Sequence, residues 1–228
     1  MEPMPDLRRA VHRVLRRWSQ RGQDRQPWDR MLVVTQRKQE QPVPDHDLIV
    51  KQIVLEALAQ LDEQGKGEEA QVLRLRFMDE LTAPEIAARL NLAANIVYKR
   101  QSKGLDGLAA VVGQMEQGAL QERVDRIVER LPFADHPPLL FGVDEKLAEL
   151  TARLTDGQPP WIVTVGGIGG IGKTSLADAA VRQIAASPVF ADIAWISARQ
   201  ERLTPWGELA EDPHGLPALT FEGLLEAL

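Results

Sequence analysis

Residues 166 to 175 read Gly-Gly-Ile-Gly-Gly-Ile-Gly-Lys-Thr-Ser. From Gly167 they satisfy the G-x-x-x-x-G-K-[ST] spacing of a loop that cradles the phosphates of ATP or GTP. A turn whose backbone N–H groups all point at a polyphosphate needs positive φ and no Cβ in the way, and glycine supplies both. Gly167, Gly169, Gly170 and Gly172 meet that need, with Ile171 between them. Lys173 is then expected to reach the β and γ phosphates as a point charge, Thr174 to ligate Mg²⁺ through its hydroxyl, and Ser175 to donate to a further phosphate oxygen. The following helix N-terminus adds its partial positive charge.

The surrounding residues fit elements that would hold such a loop. Trp161-Ile-Val-Thr-Val165 is a short apolar, β-branched run entered from Pro159-Pro160, the pattern of a buried parallel strand. Leu176, Ala180, Val181 and Ile184 recur at helical spacing until Ser187-Pro188. Ile193-Ala-Trp-Ile-Ser197 reads as a second strand. The order strand, loop, helix, strand predicts a βαβ unit and, for this half of the chain, an α/β fold with a parallel sheet.

Composition sets outer limits. The chain has 228 residues, 44% of them hydrophobic, which is enough for one large or two small domains. No run approaches the roughly 20 apolar residues that a bilayer span needs, and the Arg-rich start with no apolar stretch behind it predicts no secretory leader. Zero cysteines exclude disulfides and thiolate metal sites and fit a cytoplasmic setting. His12, His46, His136 and His214 are scattered without ligand spacing. The net charge of −6 is unevenly spread: residues 1 to 40 hold ten Lys/Arg against five Asp/Glu, and residues 113 to 228 hold nine against seventeen. Two modules are expected, divided near the proline-rich 131–138 stretch.

Ahead of that stretch the pattern is all-α. Leu7, Val11, Val14, Leu15 and Trp18 form one apolar stripe, with Asp6 as candidate cap and Gly22 as candidate stop. Further helices are predicted from Pro27 to Gln39, from Asp47 to Leu61 and from Leu120 to Leu131. Between them, Val72, Leu73, Leu75 and Phe77 mark a helix, and Thr82-Ala-Pro-Glu85 makes a capping box that opens a short helix through Leu90. Asn91, tolerant of left-handed geometry, suits a tight corner before a helix that turns Val97, Leu105 and Leu108 inward. This is helix-turn-helix spacing.

The segment resembles the fourth region of bacterial sigma factors, through Leu73 to Phe77, Glu85 to Leu90 and Val97-Tyr-Lys-Arg100. The resemblance implies a recognition helix. Its head here is Ala93-Ala94-Asn95-Ile96, and alanine makes no base hydrogen bond. Lys99, Arg100 and Lys103 are candidate contacts to the DNA backbone, which fix position without reading sequence, so any DNA binding is expected to be weak and non-specific.

The second module also resembles a family. Gly166 to Ala177, preceded by Leu139-Leu-Phe-Gly-Val-Asp-Glu145 and followed by Phe190 to Gln200, is similar to the NB-ARC domain of STAND signalling NTPases, which include plant resistance proteins and apoptosome-type switches. The resemblance implies an ADP-held closed form, exchange for ATP, and oligomerisation of the activated full-length protein. It also favours adenine over guanine. The family's Gly-Arg near adenine is replaced here by Gly142-Val143, and its acidic Mg²⁺-orienting strand has no counterpart up to Leu228. Asp178 and Asp192 are not placed to substitute, so this chain is expected to bind nucleotide with negligible turnover.

The expected organisation is a basic helical region at 1–65, a helix-turn-helix module at 66–115, a linker helix and hinge at 116–138, and an NB-ARC-like part at 139–228, the whole forming the N-terminal portion of a longer switch or a truncated relative. The helical module is then an effector or adaptor that docks a protein partner. Two other classes stay open, a nucleotide-gated transcription regulator and a non-catalytic interaction adaptor.

Overall fold

The computed structural model describes residues 7–20, 22, 25–40, 43, 45–133, 139–159, 162–190, 192–196, 201–203 and 209–211. The chain divides into two compact units, Met1–Leu120 and Gln121–Leu228.

In the first unit every described element is helical. Helix α1 (Leu7–Arg16) buries Ala10, Val11, Val14 and Leu15, as its stripe requires. The segment expected to be one helix from Pro27 is broken: a 3-10 turn at Trp28–Arg30 is followed by Met31 in extended geometry, and only then does α2 (Leu32–Glu40) begin. Trp28 and Met31 are both fully buried, so the break turns two large side chains into the core. Helix α3 (His46–Leu61) is capped by Asp45, whose Oδ1 accepts from the amides of Asp47 at 2.9 Å and Leu48 at 3.2 Å. A π turn at Asp62–Lys66, with Gly65 at φ 78°, reverses the chain into α4 (Gly67–Phe77). The candidate cap Asp6 lies outside the described residues.

Helix α5 (Ala83–Leu90) opens at Thr82, whose amide and hydroxyl both donate to Glu85 Oε2, at 2.7 and 2.6 Å. Those bonds, the hydroxyl first, hold the Glu85 carboxyl below its ordinary range. Asn91 ends α5 at φ 52°, in the left-handed region. The next helix, α6, runs without interruption from Ala94 to Glu129 and so joins the inward-facing helix to the one expected from Leu120. Val72, Leu75, Ala83, Ile86, Ala87 and Val97 form a small core among α4, α5 and α6. A larger one gathers Leu15, Trp28, Met31, Ile53, Leu58, Leu61, Leu73, Leu105 and Leu108, among others. Each such large side chain contributes roughly 1.5–3 kcal/mol by leaving water.

Polar side chains fix how these helices meet. Glu116 on α6 accepts from the Leu32 amide at 2.8 Å through Oε1 and from the Val33 amide at 3.0 Å through Oε2, and so caps α2 from a distant point in sequence. Arg37 and Glu56 pair through two hydrogen bonds, at 3.1 and 2.7 Å, between α2 and α3.

His12 and His46 give this unit a pH dependence. Burial, followed by Arg16 and Arg8, pushes His12 below the usual 6.5, and burial does the same to His46 although Asp29 pulls the other way. Unfolded chains take up protons at these sites first, so the contribution is full above the ordinary histidine value and is lost as pH falls through it. Urea unfolding is therefore expected to show stability declining from about pH 7.5 to about pH 5, and the double variant His12→Phe, His46→Asn a flatter profile. A flat wild-type profile would contradict the downward shift that partial burial gives both rings.

The second unit contains α7 (Asp144–Thr155), α8 (Lys173–Ile184), the C-terminal turns of α6, and strands β1 (Glu201–Leu203) and β2 (Leu209–Glu211). The strands pair antiparallel, Glu201 opposite Glu211 and Leu203 opposite Leu209. This corrects the expected fold class. Among the described residues there is no parallel sheet, and neither 162–165 nor 193–196 carries a strand; Trp161 and Ser197 lie outside the described residues. A parallel strand holds only between hydrogen-bonded neighbours with both faces covered. Here Ile162 is 83% exposed, so the apolar run lacks the cover that its composition calls for.

Candidate phosphate-binding loop

The glycine loop leads directly into α8, which begins at Lys173 and ends at Ile184, close to the stop read from Ser187-Pro188. Gly172 is the N-cap, at φ 93°, ψ 21°, and Gly170 lies at φ 77°. Both are left-handed positions where a Cβ would strain the backbone, so the glycines are there for conformation and not only for slimness. Gly172 has no side chain to cap the helix, and the first intrahelical bond is donated by Leu176 to the Gly172 carbonyl at 2.8 Å. The amides of Lys173, Thr174 and Ser175 therefore stand as donors at the positive end of a twelve-residue helix that carries no acidic residue in its first turn.

Lys173 is folded back over the loop. Its Nζ donates to the carbonyls of Gly167 at 3.0 Å and Ile168 at 2.9 Å. An ammonium with three donors held by two neutral carbonyls in an exposed loop exchanges readily for an anionic oxygen, to which each hydrogen bond is stronger. Gly167, Ile168, Gly169, Gly170 and Ile171 are exposed; Gly172, Lys173, Thr174 and Ser175 are half-buried. The loop thus gathers glycine backbone, helix-end amides, a cation and two hydroxyl residues along one short arc.

The other candidate contacts lie in the first unit. Lys99 and Lys103 are exposed on α6. Arg100 is paired with Glu68 of α4 and its side chain is only 21% exposed, so one of the three cations is already neutralised within the fold. The head of the helix presents exposed Ala94 and Asn95 and, one turn on, Tyr98 at 59% exposure.

Sequence reading missed two buried charges in the second unit. Asp178, one turn beyond Ser175 on α8, is fully buried and accepts from Arg182 Nε at 2.6 Å. Arg123 on α6 is 6% exposed and donates to the carbonyls of Ser187 at 3.2 Å and Phe190 at 2.5 Å. Neither sits in a motif, and each lies beside the apolar stripe of its helix and not within it, so the sequence carried no clear signal for its burial.

Among the described residues no His, Asp or Glu group is arranged to hold a metal ion, and no helix is long and apolar enough to cross a membrane.

No known family profile matches the chain, and no solved structure does. Similar curated proteins come from Arabidopsis thaliana. The chain is 28% identical over 149 residues to the probable disease resistance RPP8-like protein 4, an alignment covering 63% of this chain and 16% of that protein. It is 28% identical over 149 residues to the disease resistance protein RPH8A, with the same coverage. It is 26% identical over 173 residues to the probable disease resistance RPP8-like protein 2, covering 75% of this chain and 19% of that protein. The chain therefore spans less than a fifth of these relatives. They are plant resistance proteins, the kind of protein that the NB-ARC resemblance of Gly166 to Ala177 implies.

Proposed function

We propose that this chain is the nucleotide-binding part of a STAND-type signalling switch, with ADP or Mg-ATP held by residues 167–175 and the helical first unit serving as effector or adaptor for a protein partner. The observation that carries the reading is the joint geometry of Gly170, Gly172 and Lys173: two left-handed glycines, an uncapped helix start and an ammonium resting on loop carbonyls. The similarity to disease resistance proteins supports the signalling class.

Thr174 would ligate Mg²⁺, which supplies charge neutralisation between the β and γ phosphates, and Ser175 would donate to a phosphate oxygen. The first unit is read as a protein-docking module because Arg100 is already paired with Glu68. Lys99 and Lys103 leave at most a weak, salt-sensitive hold on nucleic acid.

Titration calorimetry of the whole chain with ADP and with Mg-ATP is the test, accompanied by circular dichroism to show that the helices are formed. Saturable binding of either nucleotide is expected. A folded chain that gives no binding with both would end this reading.

A further inference from the structure

Buried charges are rare, and among the described residues only Arg123 and Asp178 are both charged and buried. Both belong to the second unit, and both are incompletely satisfied. Arg123 is held by the neutral carbonyls of Ser187 and Phe190, and its Nε has no partner. Asp178 uses Oδ1 for Arg182, and its Oδ2 has no partner. Arg182 also donates from Nη2 to the Phe133 carbonyl at 2.6 Å, just beyond the end of α6. Arg130 adds contacts to Asp192 Oδ2 at 3.2 Å and to the Ile193 carbonyl at 3.4 Å.

Apart from the Asp178–Arg182 pair, which lies within α8, each of these bonds ties α8, or the chain immediately after it, to residues 123–133. A set of ties built for stability alone would complete the hydrogen bonding of its buried charges, because an unpaired buried group carries a desolvation penalty. These ties leave Arg123 Nε and Asp178 Oδ2 unpaired, and Arg123 and Arg182 each reach the opposite segment through carbonyls alone. We infer that Arg123, Asp178 and Arg182 form a releasable latch between the phosphate-loop helix and the C-terminal turns of α6, which nucleotide binding at the loop opens.

The inference rests on the proposed nucleotide site and concerns its regulation. Helix α8 carries the loop at its start, Asp178 at its middle and Arg182 in its last turn. Phosphates draw Lys173 off the Gly167 and Ile168 carbonyls and set the first turn of α8 around themselves, and the shift reaches Arg182 through one continuous helix. The weakly satisfied latch yields before the packed helix does. A ligand that opens the latch must bind more tightly when the latch is already broken, because coupling between the two is reciprocal.

Hydrogen exchange of the whole chain with and without saturating ADP or Mg-ATP reads this directly, with calorimetry alongside. In the wild type, nucleotide is expected to slow exchange at the loop and speed it at residues 121–133. Arg182→Lys, Asp178→Asn and Arg123→Met are expected to exchange fast at 121–133 without nucleotide and to bind it at least about fivefold more tightly. A merely structural contact would give the opposite, weaker binding. Nucleotide that saturates the loop and leaves 121–133 unchanged in the wild type overturns the latch while the proposed site stands. A folded wild type that binds no nucleotide overturns both. If a variant fails to fold, the wild-type exchange result alone decides, since it requires no substitution.

Discussion

Lys173→Ala is expected to weaken ADP and Mg-ATP binding by about 100-fold or more while leaving the helices intact. A charge-assisted hydrogen bond contributes about 1.5–3 kcal/mol, and an ammonium serving two phosphate oxygens makes two. Losing even the lower figure twice removes about 3 kcal/mol, and each 1.4 kcal/mol is a factor of ten in affinity. The fold has little reason to change. Alanine is the best helix former at the first position of α8, and the carbonyls of Gly167 and Ile168 that Lys173 now satisfies belong to exposed residues that water reaches. Calorimetry on both proteins, with matched circular dichroism, checks the result. Equal affinities would remove the 167–175 loop from the site.

Trp28→Ala is expected to destabilise the first unit by about 3–5 kcal/mol, the range for emptying a large aromatic site in a packed core. Trp28 is fully buried in the 3-10 turn between α1 and α2, among a cluster that includes Leu15, Met31 and Val34. Its carbonyl accepts from the Met31 amide at 3.1 Å, so the ring and the turn are set together. A loss of this size is a large fraction of the 5–15 kcal/mol that holds a typical domain. Urea unfolding followed by far-ultraviolet circular dichroism measures it. A loss below about 1 kcal/mol would mean that the ring is not the keystone its burial indicates.

What could be read ahead of the structure was local. The stripe of α1, the Thr82 to Glu85 box and the left-handed Asn91 each follow from residues a few positions apart, and each is present. The continuity of α6 was not legible, because Gly104, Gly107, Gly113 and Gly118 lower helix propensity along its middle. The structure gives two of them a reason that only tertiary contact supplies. A Cβ at Gly104 would lie 3.1 Å from Leu73 and 3.2 Å from the Glu69 carbonyl, and one at Gly107 would lie 2.8 Å from Leu61. Close approach of α6 to α3 and α4 thus favours the residue that local propensity disfavours.

The parallel sheet failed for the complementary reason. Trp161 to Val165 and Ile193 to Ser197 have strand composition, yet a strand is a property of pairs, and composition says nothing about whether a neighbour is there. The backbone of the 167–175 loop was the opposite case, since its glycines, lysine and helix start all lie within ten residues and their conformations follow from that short stretch. The buried Arg123 and Asp178 sit between these extremes: their types were visible, but the carbonyls of Ser187 and Phe190 and the side chain of Arg182 that receive them were not.

The Glu116 cap has a bearing on the order in which the protein assembles. Helix α2 is nine residues long, shorter than a helix that persists alone in water, and its first two amides wait for a carboxylate that follows more than eighty positions later. During synthesis, residues 32–40 leave the ribosome well before Glu116 exists, so α2 is a late helix despite its early place in the chain. A fragment cut at residue 65 would keep the sequence of α2 and lose its cap, together with Leu73, Leu105 and Leu108 of the core that covers it. The N-terminal helices are in this sense finished by α6, and the smallest piece that carries them whole is one that carries α6 as well.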